Sequence, residues 1–241
     1  MVSKNQIKLI ISLHQKKHRL ANGMFLAEGE KVIKELLDSE FILESLYSTD
    51  LSFESVAKES FFNVSEADLK KMSALTTPNN CLAVFRIPVS KTVDHKDLIL
   101  VLDDIRDPGN LGTIIRLCDW FGIKELVCSK ETVDLYNPKV VQSSMGSLTR
   151  VNINYVDLED FISKSTSPIF GTFMDGQNIY KATLPTEGLI VMGNEANGIS
   201  EKIEKLIQNR IAIPRFGNLQ KTESLNVATA TAIILSEFKR N

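Results

Sequence analysis

The sequence predicts an α/β protein in which a mostly parallel sheet with helices on both faces follows a smaller α/β unit. Three observations carry this. From Leu98 onward, apolar strand-like runs alternate with segments of helical periodicity, the pattern of a parallel sheet. Before Leu98 lies "PVSKTVDHKD" (Pro88 to Asp97), polar and without period, which reads as a linker. The chain has 241 residues, enough for one large domain or two small ones, each with a core. The expected domains are therefore 1–90 and 97–241.

In the first ninety residues "MFLAEG" reads as a strand. Glu30 to Leu37 has helical spacing, with Val32, Ile33, Leu36 and Leu37 on one side. "LESLYST" and "FFNV" are further strands, and "SEADLKKM" is a helix with Ser65 as N-cap and Asp68 three residues on. "CLAVFRI" closes the unit as a strand. The second part opens with the buried strand "LILVL" (Leu98 to Leu102) and a helix from Asn110, whose apolar positions are Leu111, Ile114, Ile115 and Cys118. Next come the strand "ELVCS" and the helix "NPKVVQSSMGS", with Asn137 as cap and Pro138 at its first position. "VNINYV" is a strand, "LEDFISK" a helix, and "PIFGTF" and "GLIVMG" are strands. "SEKIEKLIQN" is a helix capped by Ser200, "RIAIP" a short strand, and "SLNVATATAIILSEFK" a terminal helix capped by Ser224.

Hydrophobic content of 43% and charged content of 24% are ordinary for a globular protein, and a net charge of −2 gives no global basic field. The charge is unevenly distributed, however. Residues 1–23 carry Lys4, Lys8, Lys16, Lys17 and Arg19 and no acid, so this segment is +5 and the rest of the chain −7. Such a patch, with His14 and His18 beside it, suits phosphate binding; a solvated helix face explains it equally well. Cys81, Cys118 and Cys128 are widely spaced in apolar contexts, as expected of reduced structural thiols in a cytoplasm. No Cys/His cluster suggests a metal. The opening apolar run is short and broken by Lys8, unlike a signal peptide, and no stretch approaches the ~20 apolar residues of a membrane span.

In parallel sheets, ligands bind beyond the carboxyl ends of the strands. Three segments there carry unusual residues. The turn after Leu102 holds Asn110-x-Gly112-x-x-x-Arg116 in place of the G-x-G-x-x-G of a dinucleotide site. "VMGNEANGIS" places Gly193 directly after a strand, where a side chain would block close backbone approach, with Glu195 two residues on. "IPRFGNLQKTESLNVATA" ends a strand at Pro214 and begins a helix near Ser224-Leu225-Asn226, where Asn226 is placed to aim at a ligand.

Together these segments resemble the motifs of the SpoU/TrmH-type RNA ribose methyltransferases of the SPOUT superfamily. The first motif, Asn-x-Gly-x-x-x-Arg, is matched by Asn110, Gly112 and Arg116. The second is matched by Gly193, Glu195, Gly198, Ile199 and Ser200, and the third by Ile213, Pro214, Gly217, Ser224, Leu225, Asn226 and Val227. Order and spacing agree, and the resemblance covers nearly the whole chain. "NPKVVQSSMGSLTRV" is similar to a further family segment, with Gln142 where a basic residue is more usual. "GMFLAEGEKVIKELL" and "LTTPNNCLAVF" resemble the small substrate-recognition domain that precedes many such catalytic domains, with Asn79-Asn80 in place of Gln-Gly. The loop between Pro214 and Ser224 is a few residues longer than usual.

The resemblance implies a trefoil-knotted catalytic domain, S-adenosylmethionine as cofactor, ribosomal or transfer RNA as substrate and a homodimer. It implies catalytic or positioning roles for Asn110, Arg116, Glu195, Ser224 and Asn226, and a cofactor pocket lined by Thr172, Met192, Gly193, Ile213 and Leu225. A guanidinium keeps its proton in proteins, so Arg116 is read as holding and polarising the acceptor nucleotide, with Asn110 orienting it or binding the ribose. Glu195 either fixes Arg116 or Asn110, or accepts from the acceptor ribose. Two other readings stand beside this one: an RNA-binding module with a decayed methyltransferase domain, and a dehydrogenase with an unusual dinucleotide loop. Calorimetric titration separates them. Saturable binding of S-adenosylmethionine and none of NAD is the expected result; binding of NAD alone would reverse it.

Overall fold

The computed structural model describes residues 2–50, 53, 56–217 and 224–240. The chain forms two compact units, Met1–Val89 with Asp134–Thr149, and Ser90–Val133 with Arg150–Asn241.

The first unit opens with two helices, where the sequence predicts a basic segment that either binds phosphate or forms a solvated helix face. Helix α1 (Lys4–Ser12) starts at a capping box, in which Ser3 and Gln6 satisfy each other's backbone N–H groups. Helix α2 (Lys16–Asn22) ends at Gly23, whose φ of 62° terminates it in the left-handed region. Strand β1 (Met24–Glu28), helix α3 (Glu30–Leu37), strands β2 (Leu43–Ser48) and β3 (Phe61–Asn63), helix α4 (Glu66–Met72) and strand β4 (Cys81–Arg86) follow, as the periodicity predicts. Ser65 caps α4 by accepting from the Asp68 N–H. The sheet order is β1-β4-β2-β3, with the β2–β3 pair parallel and the other two pairs antiparallel. Ile10 and Leu13 are buried in the core with Leu26, Leu69 and Met72, so the amino-terminal helices are part of this unit's packing.

The second unit is built on β5 (Leu98–Leu102), α5 (Pro108–Phe121) and β6 (Glu125–Ser129). Helix α5 begins two residues before the expected Asn110, because Asp107 caps it and Pro108 takes the first position. The chain then contributes α6 (Pro138–Ser144) to the first unit, so the expected 97–241 domain is interrupted. The segment packs there through α6 against β1, through the Tyr136 ring 4.6 Å from that of Phe25, and through the Asp134–Arg19 pair. Back in the second unit come β7 (Asn152–Val156), α7 (Leu158–Ser163), β8 (Ile169–Asn178), β9 (Gly188–Met192), α8 (Glu201–Glu204), β10 (Asn209–Ala212) and α9 (Val227–Phe238). The strand order is β10-β8-β9-β5-β6-β7 and every pairing is parallel, as the alternation predicts. Helix α9 packs on α5.

Four local expectations are corrected. Helix α8 is one turn long rather than ten residues, and Ser200 at its start makes no side-chain capping bond. Helix α9 begins at Val227 and is capped by Asn226, not by Ser224. Strand β8 runs on to Asn178. Arg19 does not belong to a phosphate-binding patch: it is buried, donating to the backbone oxygens of Leu13 (2.9 Å) and His14 (2.8 Å) and to Asp134 (3.0 Å from Nε). The three cysteines are buried and unpaired, and burial pushes the Cys81 thiol up to about 12, so it stays an unreactive core group. Among the described residues no helix is long and apolar enough to cross a membrane.

Removing the Arg19 guanidinium leaves Asp134 and two backbone carbonyls without their donor. Arg19→Ala is expected to destabilise the protein by about 3–5 kcal/mol in urea unfolding, the scale for breaking a buried pair. Lys16→Gln and Lys17→Gln, at exposed positions, should change the midpoint little. A loss under ~1 kcal/mol in Arg19→Ala would show that the pair is not structural.

Candidate functional site

The three sequence segments meet at the carboxyl ends of β5, β9 and β10, where the strand order reverses between β5 and its neighbours. After β9 the chain makes a tight hairpin-like return: the Asn194 N–H donates to the Gly198 oxygen (2.9 Å) and the Gly198 N–H to the Asn194 oxygen (2.8 Å). The Asn194 side chain holds the return from inside. Its Oδ1 accepts from the N–H groups of Ala196 (2.9 Å) and Asn197 (3.2 Å), and its Nδ2 donates to the Asp104 oxygen (2.6 Å). Asp103 Oδ2 accepts from the Ser200 N–H (2.8 Å), tying the far end of the loop to β5.

This geometry corrects the reason for Gly193. The sequence suggests close approach of a ligand to its backbone. A Cβ at Gly193 would instead collide with the backbone of Gly198 and Ile199 in its own loop. The glycine is required by the fold of the loop, before any ligand is considered.

The loop delivers Glu195 to Asn110. Asn110 Nδ2 donates to Glu195 Oε1 (2.5 Å), and Asn110 Oδ1 accepts from Asn226 Nδ2 (2.9 Å). Asn226 Oδ1 is engaged in capping α9 through the N–H groups of Ala228 (3.0 Å) and Thr229 (3.2 Å). One residue from each motif thus joins a continuous chain of hydrogen bonds, Glu195–Asn110–Asn226. The expectation that Asn226 aims at a ligand is replaced by a cap and a link, which occupy both ends of its amide. Glu195 fixes Asn110, one of its two expected partners.

Arg116 stands outside this chain. It is exposed on α5 six residues beyond Asn110, about 9 Å along the axis at 1.5 Å per residue, and makes no ion pair among the described residues. Asp119, a possible surface partner for it, pairs with Arg150 at 2.9 Å.

Beside the network lies a cavity of about 1,070 Å³. Thr172, Met192, Gly193, Ile213 and Leu225, the five expected pocket residues, all line it, together with Glu195 and Ser224. Its apolar wall continues over Ile199, Ile211, Val227 and Ile234. Thr172 Oγ1 is spent on the Val191 oxygen (3.2 Å). The sequence reading missed Asn194, whose signal is an asparagine inside a glycine-flanked turn, and Asp103, which has no local signal. It also missed Phe173 and Met174 on the cavity wall. They lie in an irregularity of β8: Arg210 pairs with Gly171, but the next residue, Ile211, pairs with Gln177. Residues 172–176 therefore leave the ladder with β10, and Thr172, Phe173 and Met174 form part of the wall, the re-aiming expected of a bulge beside a site. Among the described residues no group of three or more His, Cys, Asp or Glu side chains could hold a metal.

With this geometry the comparisons with known proteins agree. The model of the SpoU rRNA Methylase family matches residues 97–236, and that of the MRM3-like substrate binding domain matches residues 4–83. The chain belongs to the SpoU rRNA methylase family. Among its relatives is the 23S rRNA (guanosine(2553)-2'-O)-methyltransferase RlmP of Bacillus subtilis, 28% identical over 98% of this chain and 97% of that protein. A TrmH-family structure from Porphyromonas gingivalis superposes with a TM-score of 0.90 at 39% identity, over 100% of this chain and 99% of that one. An AdoMet-bound rRNA methyltransferase from Sinorhizobium meliloti gives 0.87 at 28%, over 100% and 97%.

Two glycines of the cavity wall make opposite tests of the loop. Gly193→Ala should destabilise the protein by about 1–3 kcal/mol, the scale of overpacking. Gly217→Ala should leave the urea midpoint unchanged, because no atom of the described residues lies within 4 Å of the added methyl. Equal stability of the two variants would remove the tight return as a constraint.

Proposed function

We propose that the protein is an S-adenosylmethionine-dependent RNA methyltransferase that methylates a ribose 2′-hydroxyl in ribosomal or transfer RNA. The observation that carries this reading is the Glu195–Asn110–Asn226 chain at the rim of the cavity. A decayed site would have no reason to keep three polar side chains from three distant segments in mutual register.

The cavity suits the cofactor. Its volume of about 1,070 Å³ is at the upper end for small-molecule sites. Ile199, Ile213, Leu225 and Val227 offer an apolar slot for adenine, and the backbone at Gly193, Glu195 and residues 172–174 offers polar edges. Bound S-adenosylmethionine would supply an activated methyl group. The chain's own task is to place the acceptor hydroxyl and deal with its proton. Asn110, held by Glu195 on one side and Asn226 on the other, is a rigid amide for orienting the ribose. Arg116 is an exposed cation with a planar fork, suited to an RNA phosphate or to the developing alkoxide. Ser224 lies on the cavity wall, and with no capping duty its hydroxyl is assigned to the cofactor or the ribose.

The same reading makes residues 1–90 the RNA-recognition part and residues 97–241 the methyl-transfer part. It includes the carboxyl-terminal trefoil knot, a homodimer and a cytoplasmic location. The outer face of α5, where Arg116 precedes an 84% exposed Trp120 by one turn, is a surface that a second copy would cover. Lys4, Lys8, Lys16 and Lys17 are the exposed cations left for phosphate contact once Arg19 is counted in the core.

Arg116→Ala is expected to fold and to bind S-adenosylmethionine as the parent does. Its single-turnover methyl transfer to RNA from cells lacking the gene should fall about 10²-fold or more, the scale for removing one charge-stabilising donor. Arg116→Lys should recover only part, since a lysine lacks the planar fork. Transfer at the parental rate in Arg116→Ala would refute the role.

A further inference from the structure

The cavity has an aromatic feature on its rim that the methyl-transfer geometry does not use. Phe216 is 82% exposed, and its ring lies 6.3 Å from that of Tyr180, itself 38% exposed, with 33° between the planes. The separation is that of an interacting aromatic pair. The two rings come from different elements. Tyr180 belongs to the single 3-10 turn Ile179–Lys181 after β8. That turn is firmly placed: Asn178 Oδ1 accepts from the Tyr180 N–H (3.0 Å), Ile179 is buried, and α9 packs against the turn. Phe216 lies in the segment after β10. Its neighbours Arg215 and Gly217 both line the cavity, while Phe216 itself does not. The ring therefore lies beside the cavity and outside its lining.

We infer that Phe216, supported by Tyr180, is a stacking platform for an unpaired RNA base next to the acceptor nucleotide. This rests on the RNA methyltransferase reading and adds to it the element that holds the nucleotide's base. At 82% exposure the ring contributes little to the packing of the described residues. The surrounding sequence "RFGNLQKTE" is polar and has Phe216 as its one aromatic residue. Each ring is followed or preceded in the chain by a cation, Lys181 after Tyr180 and Arg215 before Phe216, and both cations are exposed. An exposed aromatic face flanked by positive charge is how proteins hold single-stranded nucleic acid: the ring takes a base and the cations take the phosphates. A ribose hydroxyl can reach a cavity only when its nucleotide is drawn out of a stack, and a replacement stacking partner offsets that loss. The adenine of the cofactor is the other flat ligand nearby, but a ring outside the cavity lining cannot stack on a group bound within it.

The test uses the full-length protein and two probes, single-stranded r(A)₈ and an octamer of the same ribose-phosphate backbone without bases. The parent should bind r(A)₈ more tightly than the abasic octamer. Phe216→Ala should lose about tenfold in affinity for r(A)₈, the scale for one stacked base, and nothing for the abasic octamer. Phe216→Trp should keep or improve the preference, and Tyr180→Ala should weaken it less than Phe216→Ala. Calorimetry with S-adenosylmethionine should give the same affinity for all four proteins. Equal affinity of parent and Phe216→Ala for r(A)₈, or an equal loss for both octamers, would overturn the platform. A loss of S-adenosylmethionine affinity in Phe216→Ala would overturn it too, by placing the ring on the cofactor. Failure of the methyltransferase reading would instead show in the parent, as absence of S-adenosylmethionine binding.

Discussion

The backbone of the 193–199 return approaches itself so closely that no side chain fits at Gly193, and the rest of the site depends on that constraint. A wider loop would carry Glu195 away from β5 and break its 2.5 Å bond to Asn110. Asn110 would then lose the partner that fixes one end of its amide, and Asn226 would be joined to a side chain free to turn. Asn194 maintains the tight path by satisfying the loop's own N–H groups and reaching across to Asp104. Residues 103 and 104, at the end of the central strand, thus anchor both ends of the return.

Much of this was legible in the sequence, and what was not has a common cause. Strands β5 and β9 are short, apolar and buried along their whole length, so composition alone identifies them. The motif residues could be named because their spacing is local. Helix starts were misread where two cap-competent residues compete: Ser224 and Asn226 both suit, and the choice fell to Asn226 because it also reaches Asn110, 116 positions away. Arg19 looked like a solvent-facing cation because its partner, Asp134, is 115 residues distant. The excursion in β8 is invisible for the same reason, as it exists only relative to the register of β10. Periodicity reports which face a residue takes; it does not report what lies opposite.

The division of the chain also bears on how charge is counted. The +5 of the amino-terminal segment suggested an electrostatic footprint of five cations. One of the five is a structural strut inside the first unit, held by two carbonyls and a carboxylate. Ile10 and Leu13 on the same segment belong to that unit's core. Exposed cations and core residues are therefore interleaved in one stretch, and removing the stretch as a whole would confound charge with folding.

The excursion at residues 172–176 means that part of the cavity wall, at Thr172, Phe173 and Met174, lies on a stretch released from its ladder with β10. Peptide groups are the same in every amino acid, so a ligand recognised by them makes few demands on which side chains accompany them. Substitutions there are constrained by shape and by the glycine at 176, whose added methyl would meet the Ile211 backbone at 2.5 Å, more than by chemical identity. Such a pocket tolerates sequence drift while its binding chemistry stays the same.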